Sequence, residues 1–115
     1  MRGINKVFIL GNLGHNPELK QTSNGICYVD LSIATNRPIR RNDEWEQFVD
    51  WHHVRTWKQT AELCMRMLEK GCTLAVEGQL RTDSWIDEQG DKKYNTYIQA
   101  NRLHFLSKTK EEVTT

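Results

Sequence analysis

Residues 26–35 alternate with a period of two: Cys27, Val29, Leu31 and Ile33 fall on one face, Tyr28, Asp30 and Ser32 on the other. This pattern predicts a half-buried strand, and the Asn24-Gly25 pair before it is a strong hairpin signal. Residues 4–13 alternate more loosely around Val7, Ile9 and Gly11 and predict an earlier strand, with a turn at Gly14–Pro17. The segment NRPIRRNDE (36–44) predicts a long exposed loop, because Pro38 lacks a ladder donor and charge is dense. A third strand is expected over 47–57, QFVDWHHVRTW. Val49, Trp51, His53, Arg55 and Trp57 share one of its faces; Phe48, His52 and Val54 share the other.

One helix follows, over TAELCMRMLEKG. Thr60 is placed to cap it, Glu62 suits its first turn, and Lys70-Gly71 closes it. Ala61, Cys64, Met65 and Leu68 would face the core. Residues 72–85 predict a strand, Glu88–Asp91 a hairpin turn, and 94–106 the last strand. Three strands, one short helix and two strands make an all-β chain in the order of a five-stranded oligonucleotide-binding barrel. An open sandwich or a swapped-hairpin assembly gives a similar string. No repeat or linker divides the chain, so residues 1–107 are expected to form the domain and 108–115 a short frayed tail.

Composition narrows the function classes. At 115 residues there is room for one domain. Hydrophobic content is 37%, and no run approaches the roughly 20 apolar residues of a membrane helix. Asn5, Lys6 and Asn12 interrupt the N-terminal apolar stretch and no small-residue cleavage site follows, which argues against a signal peptide. Cys27, Cys64 and Cys72 are odd in number without a close pair, as expected of reduced thiols in a cytoplasm. Net charge is only +1, but residues 1–41 hold six Lys/Arg against two acids, and 42–51 hold four acids and no Lys/Arg. A local basic face is therefore permitted. Catalytic signatures are missing. GNLG has neither the spacing nor the lysine of a phosphate loop, there is no HExxH or CxxC, and no nucleophile elbow occurs. Adjacent His52 and His53 point to opposite sheet faces and cannot share a metal within one flat strand. No cofactor, metal or catalytic residue is expected.

Tryptophan stands out: Trp45, Trp51, Trp57 and Trp85 in so short a chain. They fall in loops or on the strand face that carries His53 and Arg55. Barrel core is the plain alternative for Trp51 and Trp57. Rings on a basic sheet face would instead stack on unpaired bases while Arg and Lys follow the phosphates. Every base has a π-face, so such a surface selects single strands without reading their sequence.

At these residues the sequence resembles the bacterial single-stranded DNA-binding protein family. The matching segments are NKVFILGNLGHNPEL (5–19), SNGICYVDLSIAT (23–35), DWHHVRTW (50–57), AELCMRMLEKGCTLAVEGQLRTDSW (61–85) and the closing strand to Leu106. The resemblance implies an oligonucleotide-binding barrel, assembled as a homotetramer, that coats and protects single-stranded DNA in replication, recombination and repair in a nucleoid-associated, cytoplasmic setting. It places Trp51, Trp57 and Trp85 at stacking positions and Arg2, Lys6, Lys20, Lys70 and Arg81 along the DNA path. Lys70 serves equally as a charge partner for the helix C-terminus. His52 matches a subunit-interface position. Where the family often carries a tryptophan after the second strand, this chain has Ile39. Trp45, in the same segment, is the candidate to replace it, with Arg37, Arg40, Arg41 and Arg55 as further phosphate contacts, Arg55 lying between the stacking rings. The acids Asp43, Glu44 and Glu46 favour instead a Trp45 packed on its own loop or on a neighbouring subunit. The family usually continues into a tail ending in acidic residues and Pro-Phe. This sequence ends at KTKEEVTT, so partners that dock on such a tail are not expected. A barrel adaptor of a replication complex that binds DNA weakly is the alternative function.

Overall fold

Val29, Leu31 and Ile33 are all fully buried in the computed structural model, which describes residues 1–107. The predicted alternation thus places one face of a long strand in the core. The elements are β1 (Val7–Leu13), β2 (Leu19–Gln21), β3 (Cys27–Arg41), β4 (Glu44–Trp57), α1 (Lys58–Met67), β5 (Thr73–Ile86) and β6 (Lys92–Phe105). Hydrogen bonding runs β1-β5-β6-β4-β3, and β1 then pairs with β3 through Asn12↔Ala34 and Leu13↔Ile33. That last pairing closes a five-stranded barrel. The pair β4–β6 is parallel, joined at Val54↔Ile98 and Arg55↔Gln99; every other pair is antiparallel. This is the expected oligonucleotide-binding barrel, with β2 as a short addition on β3 that the sequence pattern did not reveal. All three residues of β2 are exposed, so burial imprints no alternation on them.

The interior is filled by Leu13, Leu31, Val54, Leu74, Val76 and Ile98 from five strands, with Ala61, Cys64 and Leu68 from the helix region. Among the described residues Thr56 is the buried polar residue, and its hydroxyl donates to the Val29 carbonyl at 3.1 Å. Burial pushes the Cys64 thiol up to about 11, against the weaker pull of its contact with Thr56. At neutral pH this cysteine is a packing residue and not a nucleophile.

Two expectations about local structure are corrected. Residues 36–44 are not a loop: β3 continues through Pro38 to Arg41, turns at Asn42-Asp43 and returns as β4. Beyond Ala34 the strand has β4 on one side only. Proline is tolerated on such an edge. Asn42 and Asp43 have φ of 51° and 63°, the left-handed pair that a two-residue hairpin turn requires. The helix also begins earlier than expected. Trp57 occupies the N-cap position without a side-chain cap, Thr60 lies inside the first turn, and that turn contains no acid, so Glu62 falls beyond it. The helix ends at Met67, where the Leu68 N–H donates to the Cys64 carbonyl, four residues short of Gly71. Gly71, at φ 96°, turns the chain so that its N–H donates to the Leu13 carbonyl and ties the helix exit to β1. Among the described residues no helix is long and apolar enough to cross a membrane. The expected tail, 108–115, lies outside the described residues.

Candidate nucleic-acid interface

Counting outward from the Asn42-Asp43 turn, β3 and β4 pair Arg40 with Trp45, Ala34 with Trp51, Asp30 with Arg55 and Tyr28 with Trp57. Paired residues share a side of the ribbon, and alternate pairs share a side. All four of these pairs therefore lie on one face. Val54 and Thr56 between them are buried, so this face is the outside of the barrel. Across the β4–β6 junction the same outer face continues through Tyr97 to its β5 partner Arg81 and, four residues on, Trp85. The fold thus brings Trp45, Trp51, Trp57 and Trp85 onto one outer sheet surface together with Arg40, Arg55 and Arg81. Trp45 is 65% exposed, Trp51 60% and Trp85 49%; none is a core residue. Trp57 is half-buried, its ring 5.4 Å from Tyr28.

Trp51 is supported from below. A Cβ on Gly14 would lie 2.3 Å from the Trp51 ring, so the indole rests directly against Gly14 and would have to shift to admit any side chain there. The Gly14 N–H donates to the Ser32 carbonyl at 2.9 Å, which fixes that support to β3. Two residues on, the Asn16 side chain accepts from the Lys70 N–H, bringing Lys70 to the same loop. Lys20 pairs with Tyr28 and stands beside the tryptophan face.

The other basic residues divide differently from the sequence expectation. Arg37 and Arg41 lie on the reverse side of the β3–β4 ribbon, as does Ile39, paired with Glu46. The Arg37 guanidinium is 2.7 Å from Asp50 and lies over the Phe48 ring, while Arg41 reaches Glu46 at 4.0 Å. Arg40 lies over Trp45. Lys6 lines a groove between β1, β5 and β6 with Glu77 and Arg102, and Arg2 is exposed ahead of β1. Arg55 was expected as a phosphate contact between the stacking rings. It is 18% exposed at the side chain and bonded to Asp30 through Nε and one terminal nitrogen. His52 and His53 do point to opposite sides, His52 to the Thr35 hydroxyl at 2.8 Å and His53 to Asp30 at 3.3 Å. Among the described residues no group of three His, Cys, Asp or Glu is arranged to hold a metal.

Burial pushes the Asp30 carboxyl up, but the Arg55 hydrogen bonds and charge outweigh it, His53 adds to them, and the net shift is downward. A lowered carboxyl contributes stability that is present above its unfolded value, about 3.9, and lost as pH falls through the folded one. The stability gap between wild type and Asp30→Asn should therefore be widest near neutral pH and close below about pH 4. Urea unfolding at pH 7 and pH 3 measures it; a gap that stays constant would remove Asp30 from the pH response.

Comparison with known proteins identifies the family. Residues 4–106 match the family model of the single-strand binding protein family. The chain is 36% identical over 107 residues to single-stranded DNA-binding protein 1 of Chlorobaculum tepidum, covering 91% of this chain and 66% of that protein. The chain thus spans slightly under two thirds of that relative's length. Among solved structures, the Plasmodium falciparum SSB in complex with ssDNA superposes with a TM-score of 0.78 at 30% identity, over 93% of this chain and 98% of that one. A deletion mutant of the Thermus aquaticus single-stranded DNA-binding protein gives the same TM-score of 0.78 and 30% identity, over 92% of this chain and 52% of its own. With the family match running through every strand of the barrel, the chain belongs to the single-strand binding protein family, a family of DNA-binding proteins and not of enzymes.

Proposed function

We propose that this chain binds single-stranded DNA without reading its sequence, coating and protecting it during replication, recombination and repair. The observation that carries the reading is the gathering of four tryptophans on one outer face of a barrel of this family. Bases stack on Trp45, Trp51, Trp57 and Trp85. Lys20, Arg40 and Arg81 beside them meet the phosphates, and Arg2, Lys6, Arg37, Arg41 and Lys70 serve where the strand continues round the barrel. No catalysis is involved, and the setting is cytoplasmic. The chain acts as a homo-oligomer, a tetramer, with His52 at a subunit contact. The exposed Phe8 and Leu10 on β1 support self-association, because burying them against a second copy removes apolar surface from water.

Titration with oligo(dT) should quench the intrinsic tryptophan fluorescence strongly. Its affinity should fall with salt at about −0.7 per phosphate contact, or about −2 for the three contacts on the tryptophan face. Unchanged fluorescence at saturation would overturn the stacking role, and a salt-independent affinity would overturn the phosphate track. Trp45→Ala should cost about 1–3 kcal/mol of binding. Ile39→Ala should leave affinity unchanged, because Ile39 lies on the opposite side of the ribbon from Trp45 and offers neither a stacking ring nor a charge. The opposite ranking of the two variants would move the DNA to the other side of the arm.

A further inference from the structure

Arg55 carries a charge at the centre of the tryptophan face, yet its surroundings are those of a clamp. Its Nε donates to Asp30 Oδ1 at 2.7 Å and a terminal nitrogen to Oδ2 at 3.1 Å, so carboxylate and guanidinium are matched fork to fork. The planar cation lies 4.7 Å from the centre of the Tyr28 ring, 5.0 Å from Tyr97 and 5.8 Å from Trp57. Tyr97 is buried although it belongs to the outer face, because Arg55 and His53 cover it. Asp30↔Arg55 and Tyr28↔Trp57 are alternate pairs of the same two strands, so the ion pair and the ring pair lie side by side. A phosphate reaching Arg55 would have to displace a carboxylate already bonded at two points.

We infer that Asp30 and Arg55 are positioning residues: their ion pair, seated on Tyr97 and Tyr28, holds the Trp57 ring in its stacking orientation, and Arg55 makes no phosphate contact. This rests on Trp57 being a stacking ring. The pair is locally neutral, so it adds nothing to counterion release. Its contribution is to orient a ring before the base arrives. Lysine cannot replace Arg55 here, since it has neither the flat cation nor the fork.

The test compares wild type with Asp30→Asn, Arg55→Met, Arg55→Lys and Trp57→Ala, each confirmed folded by circular dichroism, by titrating labelled oligo(dT) across a salt series. The first three should each weaken binding by about 2- to 30-fold, the range of a cation–ring contact, with the salt slope of wild type. Arg55→Lys should not rescue. In a chain whose remaining tryptophans are phenylalanine, Trp57 emission should shift to the red in Arg55→Met and Asp30→Asn as the ring is released to water. A phosphate-binding Arg55 behaves oppositely: Asp30→Asn frees it and tightens binding, and Arg55→Met flattens the slope by about 0.7. Either result overturns the clamp. If Trp57→Ala weakens binding while Asp30→Asn and Arg55→Met match wild type, the clamp alone fails. If Trp57→Ala itself binds like wild type, the stacking role of Trp57 fails and takes the clamp with it.

Discussion

Replacing Trp51, Trp57 and Trp85 together by alanine should abolish tight binding of single-stranded DNA and leave the barrel folded. Each base stacked on an aromatic ring contributes about 1–3 kcal/mol, the magnitude characteristic of proteins of this kind, so each single replacement weakens binding roughly 5- to 150-fold. Three independent losses would exceed about 3 kcal/mol, more than a hundredfold. The fold tolerates the change because none of the three rings belongs to the buried cluster, and their removal opens no interior cavity. Trp57, half-buried against Tyr28, is the one whose replacement also costs some stability. Anisotropy of a labelled oligo(dT) measures the binding, with circular dichroism as the check on folding. A folded triple variant with wild-type affinity would remove the tryptophans from the interface altogether.

How much of this was legible in the sequence depended on where burial marks one face of an element and not the other. Val29, Leu31 and Ile33 alternate because one side of β3 is core, and the strand was readable for that reason. The same strand from Asn36 to Arg41 stands clear of the barrel with both faces in solvent, so nothing enforces alternation and Pro38 pointed to a loop. The Asn42-Asp43 turn was the available signal, two residues of types that accept left-handed backbone. Taken as the centre of a hairpin, it fixes the register and pairs Asp30 with Arg55. The parity of Trp51 and Trp57 needed only one strand and was legible. The Arg55 clamp needed three strands, and the support of Trp51 by Gly14 needed a loop whose path no pattern records. Thr60 failed as a cap because strand leads straight into helix at Trp57, leaving no turn for a cap to close.

Gly11→Ala should be among the most damaging single substitutions in the chain. Its cause is steric and not conformational, since Gly11 is not among the positive-φ glycines. A Cβ there would lie 2.1 Å from the Ala34 carbonyl oxygen and 2.9 Å from Cγ2 of Ile33. The first neighbour is backbone and the second a fully buried core residue, so neither can give way cheaply. Relief requires β1 to separate from β3 just where Asn12↔Ala34 and Leu13↔Ile33 close the barrel. Forced overpacking of this kind costs about 3 kcal/mol. Urea unfolding of Gly11→Ala against Gly3→Ala, whose added methyl meets open space, measures it. An unchanged midpoint would mean that the closure is looser than its geometry. The damage reaches the interface as well, because the Gly14 N–H bonds to Ser32 across the same seam. As the seam opens, the support beneath Trp51 withdraws, and the folded fraction of Gly11→Ala should bind oligo(dT) more weakly than wild type.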